Sequence, residues 1–344
     1  MSKRNRLIVL CYIALCSQSL YAQTRLMGIE EMFSLADEKS TSLEAYNIGR
    51  EAADEALKAA KAQRLPELNV SASVSYWGNG VLWDRDFGNG MKVDMPHFGN
   101  NFALEAQQVI YTGGAISSGI KQAELGRLLA ELDWQKNRQE VRFLLAGNYL
   151  NLYKLDNQIQ VLQKNLELTE QILADMIVRR EQGTVLKNDI TRYELQREQI
   201  KLQLAKVQDN RKILNHQLVT TLHLPEGTEI MPDTTLLEQQ FVTLAENDWQ
   251  KLAQDNNITL QQSQTAIRMN EQKVKQERSE LLPHISLVAA DHLDGPITIE
   301  VPVLNNNFNY WYVGVGVSFK ISSLYKNNRK VKAARVNVRR AQEQ

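Results

Sequence analysis

One block of sequence occurs twice in this chain. Near Leu65-Pro66 a helical pattern stops, and an alternating segment, a Gly-rich loop, a second alternating segment and a new helical pattern follow in that order. The same order begins again at Leu282-Pro283, 217 residues after the first proline. Proline ends each helix because its ring blocks the next turn and biases the preceding residue toward extended geometry. The duplication predicts two copies of a helix–hairpin–helix unit.

The alternating segments predict strands with two unlike faces. Apolar residues alternate with Asn and Ser over residues 68–76, and with Gly and Ser over residues 313–319. About ten residues are enough for a tilted strand to cross a bilayer, and small uncharged side chains suit a water-filled barrel interior. Aromatic residues near the loop ends are typical of a membrane-interface girdle. An amphipathic strand of a soluble sheet is the alternative for any one of these segments taken alone.

Two predicted hairpins, residues 67–111 and 284–321, give four strands per chain. In the second hairpin the first strand is predicted over residues 285–290, which assigns Asp291, His292 and Asp294 to the loop that follows. A closed membrane barrel needs at least about eight strands, so an oligomer must supply the rest.

Residues 115–182 predict a very long helix, because they contain no proline and carry Leu, Ile and Val at the spacings of coiled-coil seams. At 1.5 Å per residue such a helix reaches roughly 100 Å, which no compact globular core requires. The pattern turns at Gly183-Thr184-Val185-Leu186, and a returning helix is predicted to about Leu222. Asn188 or Asp189 is its predicted N-cap.

The N-terminus predicts a secretory signal peptide. Basic residues at positions 3, 4 and 6 precede a short apolar run, and Ala22 is a plausible cleavage position. An uncleaved anchor and a lipoprotein acylated at Cys16 are the alternatives. Both cysteines lie in this segment, so no disulfide or thiol chemistry is expected in the mature chain. Without the three signal cations, 37 basic and 40 acidic side chains remain, which gives no support for nucleic-acid binding.

No catalytic constellation or phosphate-binding loop is visible in the sequence, and the histidine spacings do not suit a metal. We therefore expect no enzyme activity, no cofactor and no bound metal. A metal site around His284, Asp291, His292 and Asp294 is a less favoured alternative, because polar residues of a solvated loop explain this cluster equally well.

Two glycines lie at the junction between the first hairpin and the long helix. Gly113 and Gly114 stand where the first hairpin passes into the long helix, and their spacing to Gly119 does not fit a dinucleotide-binding fingerprint. We interpret them, together with Pro66 and Pro283, as a backbone swivel, since glycine lets the chain turn sharply.

Three segments, in their order and repetition, resemble the TolC-like outer-membrane efflux protein family. They are AAKAQRLPEL at the end of the first helix, QQVIYTGGAISSGIKQAELG at the strand-to-helix exit, and RREQGTVLKNDITRYELQ at the turn between the long helices. The resemblance covers the chain from about Gly28 to the end.

The resemblance implies an α+β membrane protein, in which a long coiled-coil α-hairpin forms a tunnel wall. Four β-strands per chain contribute to a trimeric 12-stranded outer-membrane β-barrel. The implied function is a passive trans-periplasmic export duct of a tripartite efflux or type I secretion system. The implied partners are two further copies, outer-membrane lipid, a periplasmic adaptor (membrane fusion protein) and an inner-membrane pump.

The resemblance also implies residue roles at the turn between the long helices. Gly183, Thr184 and Val185 match the tip that contacts the adaptor, and Asp189, six residues after the glycine, matches the aspartate at the tunnel entrance. Arg192 and Tyr193, one helical turn further on, could join an entrance network. A plain helix cap is the alternative role for Asp189.

The predicted organisation has four parts: a signal peptide at 1–22, a first repeat at 23–222 with its helical hairpin at 115–222, an irregular segment at 223–245, and a second repeat at 246–344. The family's second long hairpin would follow Gln344, so a truncated chain forming leaky, non-exporting trimers is also expected. A periplasmic coiled-coil adaptor is the other alternative, and the duplicated strands argue against it. The sequence does not identify the exported substrate.

Overall fold

The computed structural model describes residues 24–235, 245–298 and 303–344. Within these ranges the chain forms seven helices, which are α1 (Ile29–Lys39), α2 (Thr41–Ala62), α3 (Ala115–Glu181), α4 (Lys187–Thr221), α5 (Glu246–Asn256), α6 (Ile258–Ser279) and α7 (Ser323–Glu343). Eight strands accompany them: β1 (Thr24–Met27), β2 (Glu67–Tyr76), β3 (Gly80–Leu82), β4 (Met91–Val93), β5 (Phe98–Tyr111), β6 (Glu229–Pro232), β7 (His284–Gly295) and β8 (Phe308–Ser318). The predicted signal peptide and residues 236–244 of the predicted irregular segment lie outside the described residues.

The chain divides into two units. The first comprises Met1–Asn47 and Trp134–Leu252, and the second comprises Ile48–Asp133 and Ala253–Gln344. Among the described residues, no helix is both long enough and apolar enough to span a membrane.

The first unit is built around one buried apolar cluster. β1 pairs in parallel with β6, and α1, α3 and α4 contribute side chains at helical spacing. The most deeply buried members are Met27, Met32, Ala36, Leu145, Leu152, Leu218, Leu222 and Ile230. Fully burying a side chain such as Leu or Met stabilises the fold by roughly 1.5–3 kcal/mol, so this cluster is the main apolar support of the unit.

Buried polar groups connect the short strands to the long helices. The Tyr149 hydroxyl of α3 is shared between the carbonyl oxygens of Met27 and Asp233, at 2.9 and 2.8 Å. Burial raises the pKa of the Tyr149 phenol above its usual value. On α4, Asn215 donates to the Thr228 carbonyl and accepts from the Ile230 N–H, both at 2.8 Å. These bonds satisfy backbone groups that the two-stranded sheet leaves unpaired.

An ion cluster lies between α1 and α3. Arg138 donates from Nε to both carboxylate oxygens of Asp37, at 3.1 and 3.0 Å, and from Nη2 to Oδ2 at 2.6 Å. Arg142 binds the same carboxylate. Burial raises the pKa of Asp37, but the hydrogen bonds and charges of the two arginines outweigh it and hold this pKa below its usual value. α1 ends at Lys39 and α2 begins at Thr41, so Ser40 separates the two helices.

The second unit contains both predicted hairpins in one antiparallel sheet. Its strand order is β2-β5-β7-β8, so the first hairpin joins the second through β5 and β7. Each strand of this sheet is joined to one helix: α2 leads into β2, β5 into α3, α6 into β7, and β8 into α7. α2 carries ion pairs to α3 at Arg50–Glu131 and Asp54–Arg127, and α6 packs against α7. Gln262 of α6 donates to Asp133 of α3 at 2.6 Å. The helix order α2-α3-α6-α7 therefore follows the strand order.

The structure corrects two loop assignments. β7 extends to Gly295, so Asp291, His292 and Asp294 belong to a strand and not to the loop, because each is paired with β5 and β8 in register. The Gly-rich segment of the first hairpin, predicted as a loop, contains the short β3–β4 hairpin, and β5 begins at Phe98. These strand ends carry polar side chains, so hydrophobic alternation in the sequence does not predict them.

Replacing Tyr149 by Phe should lower the free energy of unfolding by about 1–2 kcal/mol, because the Asp233 carbonyl oxygen loses its hydroxyl donor and that of Met27 keeps only the Asp233 N–H, at 3.2 Å. Urea unfolding of the purified protein followed by circular dichroism measures this change. Tyr153→Phe is the matched control one turn along the same helix, and its effect should be close to zero. Equal effects of the two substitutions would contradict the role assigned to the Tyr149 hydroxyl.

Replacing Asp37 by Asn should cost about 1 kcal/mol near neutral pH, a value reduced for the partial exposure of the arginines. A carboxyl group whose pKa is lowered by folding contributes stability above its unfolded pKa and loses that contribution as the pH falls through both values. The difference between Asp37→Asn and the unaltered protein should therefore shrink below about pH 4. Glu38→Gln, at an exposed neighbouring position, is the control for the loss of one carboxylate and should leave the stability near neutral pH almost unchanged.

Candidate functional site

The register of the sheet gives it one apolar and one polar face. Directly paired residues share a face in antiparallel strands, and two rows of cross-strand partners establish the pattern. On the apolar face Leu68, Ala106, Ala289 and Val313 lie in one row. On the polar face Ser73, Asn101, Asp294 and Phe308 lie in another. Both copies of the repeat thus point their apolar residues the same way.

The apolar face is exposed in the single chain. The exposed fraction is 80% for Val70, 72% for Val74 and 65% for Val315. Contiguous exposed apolar surface of this kind is rare on soluble monomers and marks a lipid or protein contact. Near the loop end, Asn309 donates to Asp291 at 2.9 Å, so these two polar side chains on the apolar face are partners of each other.

The polar face carries a stack of rings near the loops. His292 of β7 stacks on Tyr310 and Tyr312 of β8, with ring centroids 5.1 and 6.1 Å apart. Asn101 donates to Asp294 beside this stack. This arrangement is not predicted from the sequence, because only the register of β7 and β8 places the three rings on one face.

Gly113 and Gly114 form the junction between β5 and α3. Both have positive φ, +60° and +89°, a backbone conformation that residues with a side chain rarely adopt. A Cβ on Gly113 would lie 2.6 Å from the Ser279 carbonyl oxygen and 2.8 Å from Leu282 Cβ. The structure therefore brings this glycine against the segment that ends at Pro283.

The other proline, Pro66, follows the end of α2, where Gln108 of β5 donates to the Arg64 carbonyl at 3.0 Å. Prolines and glycines thus mark the level at which helices meet the sheet. Their role as a swivel stays a prediction.

The tip between α3 and α4 has a well-defined helix ending. Gly183, with φ +77°, donates its N–H to the Arg180 carbonyl, and Thr184 donates its N–H to the Arg179 carbonyl. This pair of backbone hydrogen bonds is the Schellman motif, which requires a residue such as glycine at positive φ. The Thr184 hydroxyl also donates to Arg179, at 2.9 Å, and Val185 is half-buried. The turn is therefore held by its own hydrogen bonds.

The predicted N-cap of α4 is wrong. The helix begins at Lys187 with Leu186 as its cap residue, and Leu186 provides no side-chain hydrogen bond. Asp189 lies instead in the first turn, where a carboxylate is stabilised by the positive end of the helix dipole. Asp189 and Tyr193 are half-buried and Arg192 is exposed. In the described part of the chain, no hydrogen bond or ion pair joins these three side chains.

Outside these regions the structure offers little chemistry. Over the described ranges, no group of three or more His, Cys, Asp or Glu side chains is arranged to hold a metal ion. An apolar groove of about 710 Å³ lies between α3 and α4, with Tyr153, Val161 and Val207 in its lining. Its charged lining residues are Lys154 and Lys206.

Comparison with known proteins identifies the family. The sequence matches the outer membrane efflux protein family over residues 32–222, which is more than half of the chain. The chain belongs to the outer membrane efflux protein family. A search of curated proteins gave no significant match.

Solved channels of low sequence identity share the fold of this outer membrane efflux protein. CusC matches with a TM-score of 0.76 and 17% identity, over 94% of this chain and 74% of CusC. The outer membrane protein VceC of Vibrio cholerae matches with a TM-score of 0.71 and 12% identity, over 92% and 74% of the two chains. The CmeC outer membrane channel of Campylobacter jejuni gives 0.67 and 18%, over 91% and 66%.

The family membership confirms the main prediction from the sequence. The protein is an outer-membrane channel component for efflux, and its family is one of channels and not a class of enzymes. The alternative of a periplasmic adaptor is not favoured, because the matches are to outer membrane proteins and the two hairpins form one sheet.

A graded glycine series tests the junction. Gly113→Ala should strongly reduce the yield of folded protein in the membrane. The positive φ strains a residue that has a side chain, and the new Cβ would also clash with the Ser279 carbonyl oxygen. Gly114→Ala should have a smaller effect, because it suffers the same strain but its Cβ meets only Ser117 Oγ, at 3.7 Å. Gly126→Ala, inside α3 with open space around it, is the control and should leave the yield unchanged. Equal yields for all three variants would contradict this account.

Proposed function

We propose that this protein assembles as a homotrimer, whose three sheets close a 12-stranded β-barrel in the outer membrane. The observation that carries the proposal is the shared register of the four strands, which places an exposed apolar face on one side of the sheet and, on the other, a face with small polar residues and a stack of rings near the loops. Such a sheet suits a wall between lipid and water. Four strands are too few to close a barrel, which requires at least about eight.

The two outer strands offer the means of closure. Among the described residues, β2 pairs only with β5 and β8 pairs only with β7, so each presents an unpaired backbone edge. Strand directions alternate across the sheet, which lets β8 of one copy continue antiparallel to β2 of the next. Unpaired edges of ten and eleven residues are templates for pairing with another chain. Closing the sheet into a barrel removes both edges.

We further propose that the helical region forms a passive export duct, docked through a periplasmic adaptor to an inner-membrane pump. The adaptor would contact the tip at Gly183, Thr184 and Val185. The internal hydrogen bonds of this turn support the assignment, because a turn fixed in advance loses little conformational entropy on docking. The energy for export would come from the partners.

Asp189 is proposed as the charged residue of the duct entrance. Three copies in a trimer would place three carboxylates around the entrance, and rings of acidic side chains favour passage of cations. Arg192 and Tyr193 would flank this ring. The two sequence repeats, residues 23–222 and 246–344, are proposed as the structural halves of each subunit, since each supplies one hairpin of the sheet.

Current recordings in planar lipid bilayers test the proposed duct and the proposed role of Asp189. The purified oligomer should conduct, and the reversal potential in a salt gradient should show a preference for cations. Asp189→Asn should lower this preference, by roughly two-fold, because the entrance loses three charges. Glu194→Gln, at an exposed position on the same helix, is the matched control and should have a smaller effect.

The two possible failures can be separated. Absence of any conductance from correctly inserted protein would overturn the duct. Normal conductance with an unchanged ion preference in Asp189→Asn would overturn only the role of Asp189.

A further inference from the structure

The two outer helices of the second unit carry opposite charges on their free sides. α7 contains seven basic residues and one acidic residue, and all seven basic side chains are exposed. On α2, the exposed Glu51 and Glu55 lie away from α3. Because the helix order is α2-α3-α6-α7, these charges lie at the two opposite edges of one subunit.

The free face of α7 is defined by its buried face. Asn327, Val331 and Ala334 are buried on the side that packs toward α6. At 100° per residue, the opposite side carries one stripe with helical spacings of four, three and four residues. The stripe consists of Tyr325, Arg329, Lys332 and Val336, and we call it the basic edge. Tyr325 and Val336 are 66% and 53% exposed, so half of this edge is uncovered apolar surface.

The free face of α2 has the same spacing. Arg50 and Asp54 form ion pairs with α3 and Leu57 is buried, which fixes the inner side of the helix. The opposite side carries Ile48, Ala52, Glu55 and Ala59, with Glu51 beside them, and we call these five residues the acidic edge. Small alanine side chains let another helix approach closely.

The two edges also match in height above the sheet. Four residues separate α2 from β2, and four separate β8 from α7. Measured from the sheet-proximal ends of the helices at 1.5 Å per residue, Glu55 and Arg329 both lie at about 10 Å. On the same scale, Ala59 lies at the height of Tyr325. Glu51 and Ala52 lie at the height of Lys332. Ile48 lies at the height of Val336. Carboxylates thus meet cations, and apolar or small residues meet the exposed apolar ones.

We propose that the basic edge of α7 docks on the acidic edge of α2 in the neighbouring copy of this chain. The seam continues the β8–β2 pairing beyond the barrel, and so this inference rests on the proposed homo-oligomer. Across the described residues, Glu51, Arg329 and Lys332 have no ion-pair partner within their own chain. In the seam each gains one: Glu51 pairs with Lys332, and Arg329 pairs with Glu55, which in the single chain already binds the exposed Lys58 of its own helix at 2.7 Å.

Disulfide trapping tests the contact directly, because the only native cysteines are Cys11 and Cys16 in the predicted signal peptide. In the double variant Glu55→Cys/Arg329→Cys, oxidation of membranes should give covalent dimers and trimers on a non-reducing gel. The control is Glu55→Cys/Asn328→Cys, which moves one cysteine by 100° around α7 at nearly the same height. The control and the two single variants should stay monomeric on the same gel.

A charge exchange provides a second readout. Glu51→Lys/Glu55→Lys and Arg329→Glu/Lys332→Glu should each lower the temperature at which the oligomer dissociates, by about 5 °C or more. Combining all four substitutions should recover most of this loss, which general damage to either helix would not do.

The outcomes distinguish this seam from the proposed duct. If no oligomer of any kind forms in the membrane, the proposed function fails and the seam fails with it. If a stable oligomer forms, two results would overturn the seam alone: trapping in the control pair but not in Glu55→Cys/Arg329→Cys, or no recovery in the combined charge variant.

Discussion

The pairing of β5 with β7 is the interaction on which the rest of the structure depends. It joins residues almost 200 positions apart and turns two local hairpins into a single four-stranded sheet. Side chains alternate along a strand with a period of two, so a slip of one residue would move every side chain of one hairpin to the opposite face. The observed register aligns the apolar faces of both copies. The order of the helices follows, because each helix continues directly from a strand of this sheet.

The two strand-to-helix exits show how position in the sheet determines local sequence. At the central exit, β5 must pass into α3 beside the end of α6, and the crowding at Gly113 leaves no room for a Cβ. At the outer exit, β8 passes into α7 through Phe319 to Ser322, and this segment contains no glycine and no residue with positive φ. The duplicated blocks are therefore not equivalent. The inner copy requires glycine because helices flank it on both sides, whereas the outer copy has one neighbour and a free side.

Local patterns in the sequence predict local structure well. Pro66 and Pro283 follow the ends of two helices, and the apolar spacing gives α3 to within one residue. Features that depend on partners distant in sequence are not predictable in this way. Asp291 to Asp294 read as a polar loop, yet they form strand because backbone pairing on both sides compensates for their low strand propensity. The N-cap at Leu186 was missed because Asn188 and Asp189 fit a cap equally well by residue type. The contact of Tyr149 with Asp233 carries no sequence signal.

The candidate sites differ in the same respect. The tip residues are predicted one by one from the sequence resemblance, and the hydrogen-bonded turn at Gly183 supports their proposed role. The opposite charges of α2 and α7, in contrast, indicate a contact only once the order of the helices is known. Backbone edges are unselective, since an exposed strand pairs with almost any other strand. Side chains must therefore decide which edges meet. A basic edge on one side of the subunit and an acidic edge on the other repel their own kind and attract the opposite one, which directs every copy to add in the same sense. Head-to-tail addition in one sense is the condition for a closed ring.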